Sequence, residues 1–464
     1  MGESSISNID IFLPGSGGAN VNTIQTKHSG RKCILLHRRK DVEETIQLAK
    51  AIGLDIVECI FQSGKEHPRS FFGSGRLNAI SAELEVINSA HPWHGVDLVL
   101  AHTNTNSTQI VELGKILGVE CWDRVRLLLN LFTNQANSVE AKLQVKLAML
   151  QADRSIMREL ANLQNKGEKL GWGAGGRHAL ENNMKIIDRE ISTLLRKKRR
   201  REISENERRK RRNKEGVKSI GLIGYTNAGK SSLFQTMAGK PVLIEDQLFS
   251  TLETTIGRMQ KSPRILMVDT IGFVDNLPAV LLDAFNSTIK ESTMCDIILL
   301  IIDSEDEKNE FIRKLETTLR ELESQKEQFE FKQLQVVLTK VDLVSFEKLD
   351  QLSDIIMSYG LDPAVCTSCI DKRGVIKLRD VLLSKLFRTP VLIDILPPTE
   401  NHHISQLAII AHLYELGHVI KETKLDTLDV IRITLWVDDG VLNRYLSKSN
   451  NQIIISKSIS EANI

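Results

Sequence analysis

One stretch constrains this chain more than any other: Gly221-Leu222-Ile223-Gly224-Tyr225-Thr226-Asn227-Ala228-Gly229-Lys230-Ser231-Ser232-Leu233. Within it, Gly224 to Ser231 fits the pattern G-x-x-x-x-G-K-[ST]. The apolar run before it, residues 219–223, reads as a buried strand, and residues 232–237 read as the start of a helix. Strand, glycine turn and helix in that order make a phosphate cradle. Successive backbone N–H groups wrap a polyphosphate, and the helix N-terminus adds its positive end. In that reading Lys230 reaches the outer phosphates and the Ser231 hydroxyl holds a magnesium ion. A chance glycine turn before a helix is the bland alternative, and it leaves the motifs downstream unexplained.

Those motifs come at later strand ends. Residues 248–255 are polar and threonine-rich, and Thr255 is the candidate second hydroxyl ligand for magnesium, with Thr254 and Thr251 as alternatives. Residues 264–268 form a strand ending in Asp269-Thr270-Ile271-Gly272. A carboxylate there orients magnesium through its water shell, and the Gly272 N–H can bond a γ-phosphate. Residues 297–302 are another buried strand, ending at Asp303. Residues 335–338 are the next, ending in Thr339-Lys340-Val341-Asp342, close to the base-reading pattern N-K-x-D. The Asp342 carboxylate would accept the two N–H donors of guanine, which adenine lacks, a mismatch worth roughly 10⁴-fold. The Lys340 stem would lie along the base. Thr339 has one hydroxyl in place of a two-ended amide, so a bond tying this loop to the phosphate loop is expected to be lost. Residues 365–369 read as a last strand, with Ser368-Cys369 placed for a backbone contact to the base. Phe273 stands where many GTPases carry a water-orienting glutamine, so hydrolysis would be slow unless a partner places the water.

The rest of the chain is organised around this domain. At 464 residues the length suits about three domains, and no run approaches the roughly 18 apolar residues of a membrane helix. Residues 1–30 form a polar, Gly/Ser/Asn-rich arm without the features of a secretory signal, which argues a cytoplasmic address. Residues 31–124 alternate short strands and helices, a small open sheet with helices on its faces. Phe72-Gly73-Ser74-Gly75-Arg76 is either an anion-binding helix start or simply a glycine turn feeding a helix. Residues 125–216 read as a helical hairpin, with helices over 139–163 and 180–213 joined by the glycine loop at 167–176. Trp172 in that loop either contacts a partner or tucks in. Residues 196–215 hold twelve Lys/Arg against four Asp/Glu, although the chain's net charge is only +2. Such clusters suit RNA phosphates, with a solvated helix face as the alternative. Six scattered cysteines suit a reducing compartment, and the lone Cys366-x-x-Cys369 reads as structural. His402 and His403 read as surface residues. The nucleotide domain covers 217–390, and 391–464 reads as a small α/β appendage.

The fold class is therefore α/β: a phosphate-loop domain with a mostly parallel sheet, preceded by a small α/β domain and an antiparallel helical hairpin and followed by a small α/β domain. From residue 31 to the end of the nucleotide domain the chain resembles the HflX family of ribosome-associated GTPases. The resemblance rests on Phe72-Gly73-Ser74-Gly75-Arg76-Leu77, Asp123-Arg124-Val125 with Lys142 to Ala148, the phosphate loop through Leu233, Phe249-Ser250-Thr251-Leu252, and Asp269-Thr270-Ile271-Gly272-Phe273 followed by Leu277-Pro278. It implies that GTP and GDP are bound, with magnesium, by Gly224, Asn227, Ala228, Gly229, Lys230, Ser231, Ser232, Phe249, Thr251, Thr255, Asp269, Gly272, Thr339, Lys340, Asp342, Ser368 and Cys369. Ser231 and Thr255 would be the metal ligands, with Asp269 acting through water. It also implies GTP-dependent binding to the large ribosomal subunit and its RNA, with ribosome splitting or rescue, and in some relatives ATP at the N-terminal domain. A monomer is expected. The family's glycine loop usually continues as Gly-Pro-Gly-Glu, and here Gly175-Gly176-Arg177-His178-Ala179-Leu180-Glu181 stands in its place. Two other functions compete: an RNA-binding assembly factor that holds GTP with little hydrolysis, and a general nucleotidase acting on ATP and GTP at two sites.

Overall fold

The computed structural model describes residues 28–86, 90–136, 138–165, 176–239, 255–269, 272, 281, 290–324, 334–387, 389–397, 405–425, 429–447 and 453–458. The N-terminal arm before residue 28, Trp172 with residues 167–175 of the glycine loop, Phe249, Thr251, Thr254, Phe273 and the His402-His403 pair lie outside them. The chain divides into two compact units, residues 1–202 with 276–286, and residues 203–275 with 287–464.

In the first unit, four parallel strands run in the order β2-β1-β3-β4: β1 (Lys32–His37), β2 (Asp55–Phe61), β3 (Val96–Ala101) and β4 (Glu120–Asp123). Parallel strands need crossovers, and helices supply them. These are α1 (Glu43–Ala51), α2 (Ser74–Glu85) and α3 (Ser107–Leu117), with α4 (Arg124–Gln135) following β4. Side chains alternate across the sheet. Ile34, Leu36, Val99 and Ala101 share a core with Leu77 and Ile80 of α2 and Ile110 and Leu113 of α3. Cys33, Leu35, Leu98 and Leu100 are equally buried at the alternate positions.

That core continues into two long helices, α5 (Val139–Asn165) and α6 (Gly176–Lys214). Leu143, Leu147, Leu150 and Leu160 meet Leu180, Ile187, Ile191 and Leu194. Lys146 pairs with Glu190, and Arg154 with Asp188 at 2.6 Å. Partner numbers fall along α6 as they rise along α5, so the hairpin is antiparallel.

The second unit holds a six-stranded sheet in the order β10-β9-β8-β5-β7-β6. Its strands are β5 (Lys218–Gly224), β6 (Thr255–Gln260), β7 (Ile265–Asp269), β8 (Ile297–Asp303), β9 (Leu334–Thr339) and β10 (Val365–Cys366). All pairings are parallel except β6 with β7. Every residue of β8 is buried, as a central parallel strand covered on both faces must be. The last strand is shorter than the sequence suggests. Beyond Cys366 the chain folds back, with the Ser368 N–H on the Arg373 carbonyl at 3.0 Å.

The C-terminal part is a four-stranded antiparallel sheet, β12-β13-β11-β14, with two helices. It comprises β11 (Val391–Ile395), β12 (His418–Leu425), β13 (Val430–Trp436) and β14 (Ile453–Ser458), with helices over Gln406–Leu416 and Asp439–Leu446. It bonds to the nucleotide domain through Lys218–Asp438 at 3.1 Å and the Ser262 hydroxyl on the Glu415 carbonyl at 2.6 Å. Among the described residues, no helix is long and apolar enough to cross a membrane.

Candidate nucleotide site

The strand order reverses at β5, which has β8 on one side and β7 on the other. Ligands of open α/β sheets bind at such a point, outside the carboxyl ends of the strands. The loop that leaves β5 there is the phosphate motif, and it feeds α7 (Lys230–Ala238). Asn227 sits at φ +62° and Gly229 at φ +82°. Asparagine tolerates the left-handed region and glycine enters it freely. These two residues curl the loop back toward the start of the helix.

Lys230 opens the helix and is almost fully buried. Its ammonium donates to the Tyr225 carbonyl at 2.7 Å. Burial lowers its pKa to about 8, against the opposing pull of the Asp269 carboxylate. The Ser231 hydroxyl donates to Asp269 Oδ2 at 3.0 Å, inside the fold. Two buried oxygen donors so close, one of them anionic, suit a hard divalent cation. Thr255 opens β6 directly opposite Asp269 in the antiparallel ladder. Residues paired across antiparallel strands project to the same face, so Thr255 lies on the Asp269 side of the sheet. Gly272 packs onto the loop: a Cβ there would lie 2.6 Å from Lys230 Nζ and 3.0 Å from Thr226 Cα. Only glycine lets this segment approach the lysine so closely. Phe249, Thr251 and Phe273 are outside the described residues.

The base-reading loop corrects the sequence reading. Thr339 does not lose the tie to the phosphate loop. Its hydroxyl donates to the Ala228 carbonyl at 2.7 Å, with the Ile302 carbonyl also within reach at 3.1 Å. The side chain is shorter than asparagine, but the two loops approach closely enough for one hydroxyl to span them. Lys340 sits at φ +56° and pairs with Asp303 at 2.5 Å. This fixes a flexible stem beside the loop. Asp303 was legible as a strand end but not as the partner of Lys340, because the pairing joins two separate strands. Asp342 lies in a short 3₁₀ turn, Val341–Leu343. The buried Thr367 carbonyl accepts the Val341 N–H at 3.4 Å, which joins the Ser368-Cys369 loop to the base motif. Ser368 Oγ accepts the Ile370 N–H at 3.2 Å. Burial raises the Cys369 thiol pKa, with the Thr236 side chain opposing. Tyr225 is a residue the motif does not specify. Its ring carries Arg313 and Lys314 at 5.5 and 5.3 Å, both from α8 (Lys308–Ser324).

Comparison with known proteins follows the same division. Residues 219–340 match the family described as 50S ribosome-binding GTPase, and residues 39–133 match a GTP-binding GTPase N-terminal family. GTPase HflX of Methanocaldococcus jannaschii is 31% identical over 409 residues, covering 88% of this chain and 96% of that one. The chain belongs to the HflX family of GTPases. The Escherichia coli GTPase HflX is 29% identical over 309 residues, 64% of this chain and 71% of its own. A Sulfolobus solfataricus GTP-binding protein solved with GDP aligns to 77% of this chain and 99% of its own, at 21% identity and a TM-score of 0.41, too loose a likeness to carry weight. As an HflX-family GTPase the protein binds GTP and hydrolyses it to GDP and phosphate, and the reading of a GTP holder with little turnover is set aside.

Proposed function

We propose that this HflX-family GTPase acts on the large ribosomal subunit, and that its nucleotide site is the one assembled around Lys230. The observation that carries the site is the buried set of Lys230, Ser231 and Asp269, joined to the base loop by the Thr339–Ala228 bond. The loop amides and Lys230 hold the phosphates. Ser231 and Thr255 would hold magnesium, with Asp269 acting through its water shell. Bound magnesium would neutralise the charge on the outer phosphates. Gly272 presents its N–H to the γ-phosphate, and Phe249 and Thr251, outside the described residues, are assigned to nucleotide binding by the family resemblance alone. Asp342 selects guanine, Lys340 covers the base, and the Ser368-Cys369 backbone meets its carbonyl edge. The water is not oriented by Phe273, which has no polar atom. Turnover is therefore slow alone and rises on the ribosome.

The domain division read from the sequence, at 31–124, 125–216, 217–390 and 391–464, belongs to the same proposal. The exposed cations Arg196, Lys197, Arg199, Arg200, Arg208, Lys210 and Arg211 on α6 favour contact with ribosomal RNA. The cytoplasm and a monomeric state fit this role. ATP would be taken at the carboxyl ends of β1 and β3, where the first sheet reverses and Arg39 and Lys40 are exposed. Co-sedimentation with large subunits, comparing GDP with a non-hydrolysable GTP analogue, tests the proposal. Binding that requires the triphosphate form supports it, and absence of binding in either state overturns it.

A further inference from the structure

Thr226 occupies one of the unspecified positions of the phosphate motif, so the pattern assigns its side chain no role. The structure sets it apart. It is 6% exposed, and its Oγ1 is buried with no hydrogen-bond partner among the described residues. The hydroxyls around it are engaged: Ser231 with Asp269, Thr339 with Ala228. A buried hydroxyl without a partner costs about 1–3 kcal/mol, so a loop that keeps one needs something to bond it. Its position names the partner. A Cβ on Gly272 would stand 3.0 Å from both Thr226 Cα and Thr226 Cγ2, and 2.6 Å from Lys230 Nζ. Thr226, Gly272 and the lysine ammonium therefore border one small space at the outer end of the cradle. Gly272 is the residue whose N–H faces a third phosphate, and a diphosphate does not extend that far.

We propose that the Thr226 hydroxyl donates a hydrogen bond to the terminal phosphoryl group of the triphosphate, and so makes this site prefer GTP to GDP. The proposal rests on the nucleotide site described above and adds a specificity-determining contact to it. The hydroxyl is left unsatisfied with GDP and satisfied with GTP, so its whole contribution falls on the difference between the two.

The test uses the full chain and two variants. Thr226→Val keeps the shape and removes the hydroxyl; Thr226→Ser keeps the hydroxyl and removes the methyl. Calorimetry with magnesium measures the Kd of GDP and of a GTP analogue with a non-hydrolysable β–γ bridge. Thr226→Val should weaken the analogue about tenfold or more, as for a bond to a charged acceptor, and leave GDP within about twofold. Thr226→Ser should stay near wild type for both ligands. The melting temperature of nucleotide-free Thr226→Val should be at or above that of wild type, because an unsatisfied buried group is gone. A hydroxyl that merely shapes the loop would lower it. Unchanged analogue affinity in Thr226→Val overturns the inference, as does equal weakening of GDP and analogue. Failure of wild type to bind GDP at all would instead sink the underlying site assignment, so the two failures are told apart.

Discussion

Helices α7 and α2 both begin at a glycine turn, and the two turns do different work. At α7, Gly229 lies in the left-handed region, and the first helical residue is a buried lysine whose ammonium has one carbonyl acceptor, Tyr225, among the described residues. At α2, the N-cap Gly73 is extended at φ −66°, and the residues after it, Ser74, Gly75 and Arg76, are exposed. The Gly73 N–H is already given to Gln62 Oε1 at 3.0 Å. The nearby cation is committed too. Arg38 donates to Gln62 Oε1 at 2.8 Å and to the Phe71 carbonyl at 2.7 Å, and its guanidinium lies 5.2 Å from the centre of the Phe72 ring. At the α2 turn the Gly73 N–H and the nearby cation are thus already engaged, while the α7 turn sets a desolvated ammonium beside its loop. A glycine turn before a helix becomes a phosphate site only when its amides and a cation are left available.

The largest effect should come from the lysine. Lys230→Ala should abolish GTP turnover; retained turnover would break the comparison outright. The same change should stabilise the nucleotide-free protein. Lys230 has a folded pKa of about 8 against 10.5 unfolded, so below pH 8 the fold carries an unfavourable charge in full. Between pH 8 and 10.5 the unfolded chain binds more protons, and stability should rise with pH, by about 3 kcal/mol in total. Denaturant unfolding at both ends of that window should show the gain in wild type and not in Lys230→Ala.

Next in size, Asp342→Ala should cut the preference for guanine over adenine nucleotides by roughly 10⁴-fold, read by competition binding. Smaller again, Thr339→Val should weaken GTP about fivefold to tenfold by severing the tie to Ala228, and Thr339→Asn should retain affinity. The smallest effect on nucleotide sharpens the contrast from the other side. Gln62→Leu should cost about 1–2 kcal/mol of stability, because the Gly73 N–H and Arg38 lose their acceptor, and leave GTP affinity unchanged. An altered GTP affinity there would mean that the α2 turn is more than structural.

The same contrast explains what the sequence showed and what it hid. The strands and helices of the first α/β region, and the parallel strands of the second, were legible because their apolar runs are short, bounded and buried, β8 above all; the half-exposed β6 was not, because it follows a polar, threonine-rich stretch. The helical hairpin was legible from its long unbroken periodicity. The edge strand β12, His-Val-Ile-Lys-Glu-Thr-Lys-Leu, was not, because its middle residues face water and leave a faint apolar pattern. The motif residues Lys230, Ser231 and Asp269 could be placed because each sits at a strand end or helix start of fixed geometry. The Thr339–Ala228 and Lys340–Asp303 bonds could not, since each joins segments far apart in sequence. The α2 turn looked open to an anion because Gln62, which occupies its amide, lies eleven positions upstream.

The antiparallel pairing of β6 with β7 puts Thr255 and Asp269 side by side, one where the hairpin begins and the other where it ends. The chain therefore enters and leaves this hairpin at a single corner of the sheet. Anything held at that corner would bear on both ends of the hairpin at once.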